Sequence, residues 1–245
     1  RNALHEMARL VASLHDETGQ IAAPGFYDGV RAPSPDERRE IASIPYDETS
    51  SFATISAVPY GEAGYSTLER LWLRPTLDVN GMWGGYTGAG SKTVIPNEAF
   101  AKLTMRLVPG QNPQTAQRAV EDHLRHQLPD GATLNILGER GASGAYAVPP
   151  DHPLLMAASN ALEFTTGETP LKVRIGASLP LTEIVQRTLG LDTIMFSFAI
   201  ADENFHAPNE FFRLESISDG LAAWVRILRE IAADDPASYA PYRPK

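Results

Sequence analysis

From Glu98 to Val108 the chain alternates apolar and polar residues with a period of two. Ala99, Ala101, Leu103, Met105 and Leu107 fall on one face, and Lys102, Thr104 and Arg106 on the other. Successive side chains of a strand point to opposite faces, so this pattern predicts an antiparallel strand with one buried face and Arg106 on the open one. A helical period appears elsewhere. Leu4, Met7, Val11 and Leu14 predict an amphipathic helix over 2–15, stopped by the polar run His15 to Gly19. Asn112-Pro113 opens a second helix carrying Ala116, Val120 and Leu124 and ended by Pro129. Residues 68–82 alternate well enough for a strand or hairpin, and Thr133 to Leu137 reads as a further strand. Residues 20–66, rich in Pro, Gly, Asp and Ser, read as an inserted surface excursion. Within it Ser34-Pro35-Asp36-Glu37 forms a capping box, where serine and glutamate each satisfy an orphan amide.

This order predicts a small α+β layer with helices on one face of an antiparallel sheet. Residues 141–150 read as a linker, and the rhythm then changes. A helix over 152–165, a short strand over 171–174, a helix over 179–189, an apolar strand over 193–200 and a helix over 214–233 follow. A continuously apolar strand between helices belongs to a sheet covered on both faces. The boundary is expected near 145, giving domains 1–145 and 146–245.

Composition narrows the function. The 245 residues suffice for one large or two small domains, and a net charge of -9 without a basic stripe argues against nucleic-acid binding. No apolar run approaches membrane-spanning length and no charged-then-apolar leader opens the chain, so no membrane role is expected. With zero cysteines, any metal must be held by His, Asp and Glu. That composition fits a reducing compartment, and a cytoplasmic location is the expectation. The chain opens at Arg1, without Met and directly in helical periodicity, and so reads as a fragment.

The candidate chemistry is dispersed. The apolar run 193–200 leads into Asp202 and Glu203 and then presents His206 beside Pro208, as an α/β enzyme offers an imidazole at the carboxyl edge of its sheet. A neutral surface histidine explains the same residues equally well. The glycine-rich loop Gly85 to Thr93 superficially resembles a phosphate-binding loop. Lys92 does not follow the last glycine, however, and a strand comes next instead of a helix, which argues against nucleotide binding. Arg106 offers a fork for a carboxylate and Thr93 a hydroxyl for a carbonyl oxygen, against a solvated arginine and a turn threonine. Arg174-Ile175-Gly176-Ala177-Ser178-Leu179-Pro180 joins a strand to a helix, with Ser178 as a ligand contact or an ordinary N-cap. His123 and His126 stand three apart without an acidic partner and read as solvated helix face. His5, His15 and His152 have no constellation around them. No Ser-His-Asp or Cys-His set is present, so no catalytic residue is assigned within the chain.

Taken together, several stretches resemble one family. They are Asn2-Ala3-Leu4-His5, Gly25-Phe26-Tyr27-Asp28, Gly90 to Pro96, Met105 to Pro109, Arg174 to Pro180 and His206 to Glu210. The combination resembles the carboxyl-terminal part of dimeric zinc exopeptidases, the family of carnosinase-type dipeptidases, carboxypeptidase G and aminoacylase, with the dipeptidase branch nearest. The resemblance implies an α/β fold: a ferredoxin-like α+β lid that dimerises, followed by the C-terminal part of an α/β/α catalytic domain. It implies two zinc ions, with His206 as a ligand, and a dipeptide or acyl-amino-acid substrate. Arg106 would clamp the substrate carboxyl terminus, Thr93 would reach the partner subunit's site, and Ser178, with Arg174 beside it, would contact substrate. The general base and remaining zinc ligands are expected upstream, so the 245-residue chain alone is expected to be inactive. Ile175 and Ala177 stand where the family commonly has Glu and Gly. The alternative is a non-catalytic dimerising or ligand-binding module that truly begins at Arg1.

Overall fold

The computed structural model describes residues 1–138, 142–175, 180–205 and 207–242. The chain divides into two compact units, Arg1–Tyr146 with Arg174–Pro180, and Ala147–Val173 with Leu181–Lys245.

The first unit is built on the strand that the alternation predicts. β1 (Thr76–Gly84) and β2 (Ala99–Arg106) pair antiparallel, and β2 alternates between half-buried and exposed along its whole length. Leu103 and Met105, with Leu107 beyond the strand, pack beneath it on a core of Leu14, Ile21, Phe26, Leu77, Ala116 and Val120. That core is closed by α1 (Ala3–Ala12) and α5 (Pro113–His126), capped by Asn2 and Asn112. Small side chains on α5, Ala116 and Ala119, are buried in this core, with Ala119 facing Gly25 of the excursion.

The excursion is only partly a surface feature. Ile21, Ala23 and Phe26 are buried, Phe26 being 1% exposed, so its first turns belong to the core rather than to the surface as composition suggested. Burial there is secured by one side chain. Gln111, itself buried, accepts the Val108 N–H at 3.0 Å and donates to the Phe26 carbonyl at 2.7 Å. Beside it Gly29 (φ 83°) and Gly110 (φ 98°) let two backbones touch, since a Cβ on either would collide with the other's carbonyl oxygen. The rest of the excursion carries α2 (Pro35–Ala42) and α3 (Glu48–Thr54). The capping box at Ser34 forms as expected: the hydroxyl accepts from Glu37 N at 3.2 Å, and Glu37 accepts from Ser34 N at 2.9 Å.

Of the strand or hairpin expected over 68–82, only the part from Thr76 onward is strand. A second capping box, Ser66 with Glu69, starts α4 (Thr67–Leu73), and β1 begins only at Thr76. Arg74 links helix and strand: it pairs with buried Glu62 at 2.7 and 2.6 Å and lies over the Tyr65 ring at 4.5 Å.

In the second unit α6 (Pro153–Thr166) packs on α8 (Glu215–Ala233) through Ala158, Ala161, Ala223 and Ile227. α7 (Pro180–Leu189) lies between them in sequence. The strands expected over 133–137, 171–174 and 193–200 are not assigned among the described residues, whose sheet is the two-stranded β1–β2 pair. A strand needs a ladder partner for its N–H and C=O groups. Residues 193–200 nevertheless keep strand-like alternation: Ile194, Phe196 and Phe198 pack on the helix pair while Met195 is 55% exposed. Among the described residues, the helix pair covers one face. Among the described residues no helix is long and apolar enough to cross a membrane.

Candidate functional site

Arg106 ends β2 directly opposite Thr76 on β1. Residues facing each other across an antiparallel pair share a face, so Thr76, Asp78, Thr104 and Arg106 stand together on the open side. A bulge between Val79 and Gly81 then adds one residue to β1 and reverses its parity. The result brings Trp83 to the same face as Phe100, their rings stacked at 5.3 Å. Lys102 lies 5.8 Å above the Trp83 ring, and Asp78 accepts a 2.7 Å hydrogen bond from the Thr76 hydroxyl. Arg106 is exposed, and among the described residues no carboxylate pairs with it. An exposed guanidinium at a strand end, with its fork free, is suited to a substrate carboxylate.

Thr93 is exposed too, but in the connection between the strands, beyond the opposite end of β2. That connection is tethered where Ala3 N–H donates to the Pro96 carbonyl at 3.2 Å. At about 3.4 Å per residue β2 spans roughly 24 Å, while an extended dipeptide spans about 7 Å. The structure therefore does not bring Thr93 and Arg106 of one protomer to a common dipeptide-sized site.

Arg174 has a different environment. Its Nη2 donates to Glu37 Oε1 at 2.9 Å, and Glu37 also receives Arg31 Nη1 and Nη2 at 2.5 and 2.7 Å. Hydrogen bonding from Arg31 foremost holds the Glu37 carboxyl well below the usual carboxylate range. Sequence reasoning read Glu37 only as a cap. A carboxylate has about four acceptor positions, so a capping glutamate keeps room for further donors; Arg31, six residues before it, was the local signal, and Arg174 left none.

Ser178 and His206 lie outside the described residues. The two acids preceding His206 are engaged locally. Asp202 is bidentate to Arg213 at 3.0 and 2.6 Å, which lowers its pKa. Glu203, fully buried, accepts from Ile200 N at 3.1 Å, Arg213 N at 3.3 Å and Arg213 Nη1 at 3.1 Å. One carboxylate thus grips both ends of the loop. Among the described residues no group of three or more His, Asp or Glu is placed to hold a metal, so these residues do not by themselves fit a metal centre.

Two histidines depart from expectation. His123 is buried rather than solvated: Nε2 lies 2.9 Å from the Ser13 carbonyl and ties α5 to the end of α1. His152 is 3% exposed and does have a constellation. Nδ1 caps α6 by accepting from Leu154 N at 3.1 Å, Nε2 meets Asp192 at 3.1 Å, and the Tyr242 ring lies 4.4 Å away. Both serve the fold.

The chain is 28% identical over 237 residues to the Cys-Gly metallodipeptidase dug1 of Schizosaccharomyces pombe, covering 94% of this chain and 49% of that protein. It is 26% identical to the Beta-Ala-His dipeptidase of Homo sapiens, covering 94% and 46%. Among solved structures, the M20 family metallo-carboxypeptidase Sso-CP2 from Sulfolobus solfataricus superposes with a TM-score of 0.78 at 26% identity, covering 94% and 52%. The chain thus spans about half the length of the relatives it matches. The peptidase dimerisation domain of the M20 family matches residues 1–132, the part that holds both strands, α1, α5 and Arg106. With that match over more than half of its length, the chain belongs to the M20 peptidase family and contains its dimerisation domain.

Proposed function

We propose that this chain is the lid and C-terminal catalytic segment of a metal-dependent exopeptidase acting on dipeptides or acyl amino acids. The observation that carries the reading is Arg106, an exposed and unpaired guanidinium, among the described residues, on the open face of a peptidase dimerisation domain. A free α-carboxylate satisfies that fork bidentately, whereas an internal peptide offers no such group. The named substrates of the relatives, Cys-Gly and β-Ala-His, are both dipeptides.

The reading assigns domain 1–145 to the lid and 146–245 to the catalytic part, with zinc as the metal and His206 as one of its ligands. Since the described residues do not form a metal centre, the work assigned to this chain is substrate recognition, and hydrolysis depends on groups beyond it. The reading includes a homodimer through the dimerisation domain, with Thr93 serving the partner subunit's site. The length of β2 between the Thr93 connection and Arg106, roughly 24 Å, supports that assignment. The second unit leaves Leu221, Leu228 and Trp224 of α8 exposed at 64%, 63% and 49%, as expected of a piece that completes a larger sheet domain. The test is hydrolysis of a dipeptide and of its C-terminal amide by the full-length gene product after metal loading. Cleavage of the dipeptide with strong preference over the amide supports the reading. Equal rates on both, or no cleavage by a dimeric metal-loaded protein, sinks it.

A further inference from the structure

We infer that Asp78 is a specificity residue for the substrate's amino terminus, and that with Arg106 it selects a zwitterion one dipeptide long over an acylated amino acid. The inference deepens the exopeptidase reading and rests on its assignment of Arg106 to the substrate carboxylate.

The register places the two charges. Asp78 pairs with Thr104 and Arg106 with Thr76, so Asp78 and Arg106 are diagonal neighbours on the open face of the hairpin. Such neighbours stand about 7–8 Å apart. An extended residue covers about 3.5 Å, so the two ends of a dipeptide lie about 7 Å apart. A dipeptide lying along this diagonal sets its carboxylate on Arg106 and its ammonium on Asp78. Both side chains are exposed, and among the described residues they form no ion pair with each other or with a third group.

The Asp78 carboxylate is oriented from below. Thr76, directly opposite Arg106, donates its hydroxyl to Asp78 Oδ2 at 2.7 Å. A carboxylate has about four acceptor positions, so this bond leaves room for the donors of an ammonium. Lys102 is the other cation of the face. It lies 5.8 Å over the Trp83 ring, and Trp83 pairs with Phe100, on the side of Lys102 away from Asp78. The ring thus holds Lys102 by its charge and leaves Asp78 without a cation. An acyl amino acid supplies only the carboxylate. Its neutral acyl group would strip water from Asp78 and return no charge, which disfavours it.

The experiment uses the full-length, metal-loaded gene product with alanyl-alanine, its C-terminal amide and its N-acetyl derivative. Wild type should prefer the dipeptide to the N-acetyl derivative by roughly 10-fold or more in kcat/KM. Asp78→Asn keeps the shape and an acceptor for Thr76 but removes the charge. It should lose roughly 10- to 100-fold on the dipeptide and equally on the amide, the worth of a charge-assisted hydrogen bond. Activity on the N-acetyl derivative should stay near wild type, and so should the preference for dipeptide over amide, because Arg106 is intact. Asp78→Ser, a second neutral replacement, should behave alike, so the result does not depend on one variant folding. Arg106→Ala should do the reverse, losing the preference for dipeptide over amide and keeping that over the N-acetyl derivative.

Three results overturn the role of Asp78 and leave the exopeptidase reading standing: a wild type that discriminates against the amide but not against the N-acetyl derivative, neutral variants with no loss on the dipeptide, or a loss of equal size on all three substrates. A wild type indifferent between dipeptide and amide, or inactive on both, sinks the exopeptidase reading itself and this inference with it.

Discussion

Arg106 and Arg174 are chemically identical side chains, distinguished by what surrounds them. Arg106 keeps its fork free, so Arg106→Ala in the full-length protein should raise KM for dipeptides about 10- to 100-fold, the worth of a charge-assisted hydrogen-bond pair. Steady-state kinetics that leave KM and kcat untouched would remove Arg106 from the site. Glu37 makes a prediction about pH. Its pKa is depressed in the folded state, so unfolding makes the group bind its proton more readily. The stability it contributes is complete above about pH 5 and is lost as pH falls from the unfolded value through the lower folded one. The difference in urea midpoint between wild type and Glu37→Gln should therefore be the same at pH 7 and pH 5 and shrink toward pH 3. A difference that grows on acidification contradicts the assignment. Arg106 was legible as a candidate from strand parity alone, because parity depends only on sequence. The pairing of Arg174 was not, since it joins residues 137 positions apart.

At the scale of elements, the first unit depends on a junction in which β2, α5 and the start of the excursion meet. Gln111→Leu would keep the volume and strip the partners from the Val108 N–H and the Phe26 carbonyl. Each buried group left without a partner costs about 1–3 kcal/mol. A loss of about 2–5 kcal/mol in urea denaturation is expected, and a loss below about 1 kcal/mol would show that water or relaxation replaces both bonds. Helices with caps were readable in advance: Asn112 for α5 and Ser34 for α2. The residues 68–73 were not, because a short apolar run fits either period until Ser66 and Glu69 are recognised as a box. Composition likewise mistook Ile21 to Phe26 for surface, since polar neighbours hide a short buried run.

The whole molecule presents a contrast between its units. The first closes a core of its own around Phe26 and Leu14, while the second exposes apolar side chains on α8 and along 193–200. Residues 1–245 produced alone should therefore bind a hydrophobic dye, self-associate, and hydrolyse no dipeptide with added zinc. The full-length gene product should show weaker dye binding and dipeptidase activity. Turnover by residues 1–245 alone would place a complete catalytic set within this chain and overturn the division of labour proposed for it.

Patterning over neighbouring residues was enough for β2, for the capped helices α1, α2, α5 and α6, for the helices α7 and α8, and for the family resemblance, because propensity, caps and strand parity act over a few positions. Tertiary structure decided the rest. It placed Arg106 at the end of β2 and Thr93 in the connection before that strand, spent Arg174 on Glu37 and the loop acids on Arg213, and buried His123 and His152. Among the described residues it assigned no sheet ladder to 171–174 or 193–200. These outcomes turn on which distant groups meet, and a one-dimensional pattern holds no distances between remote residues.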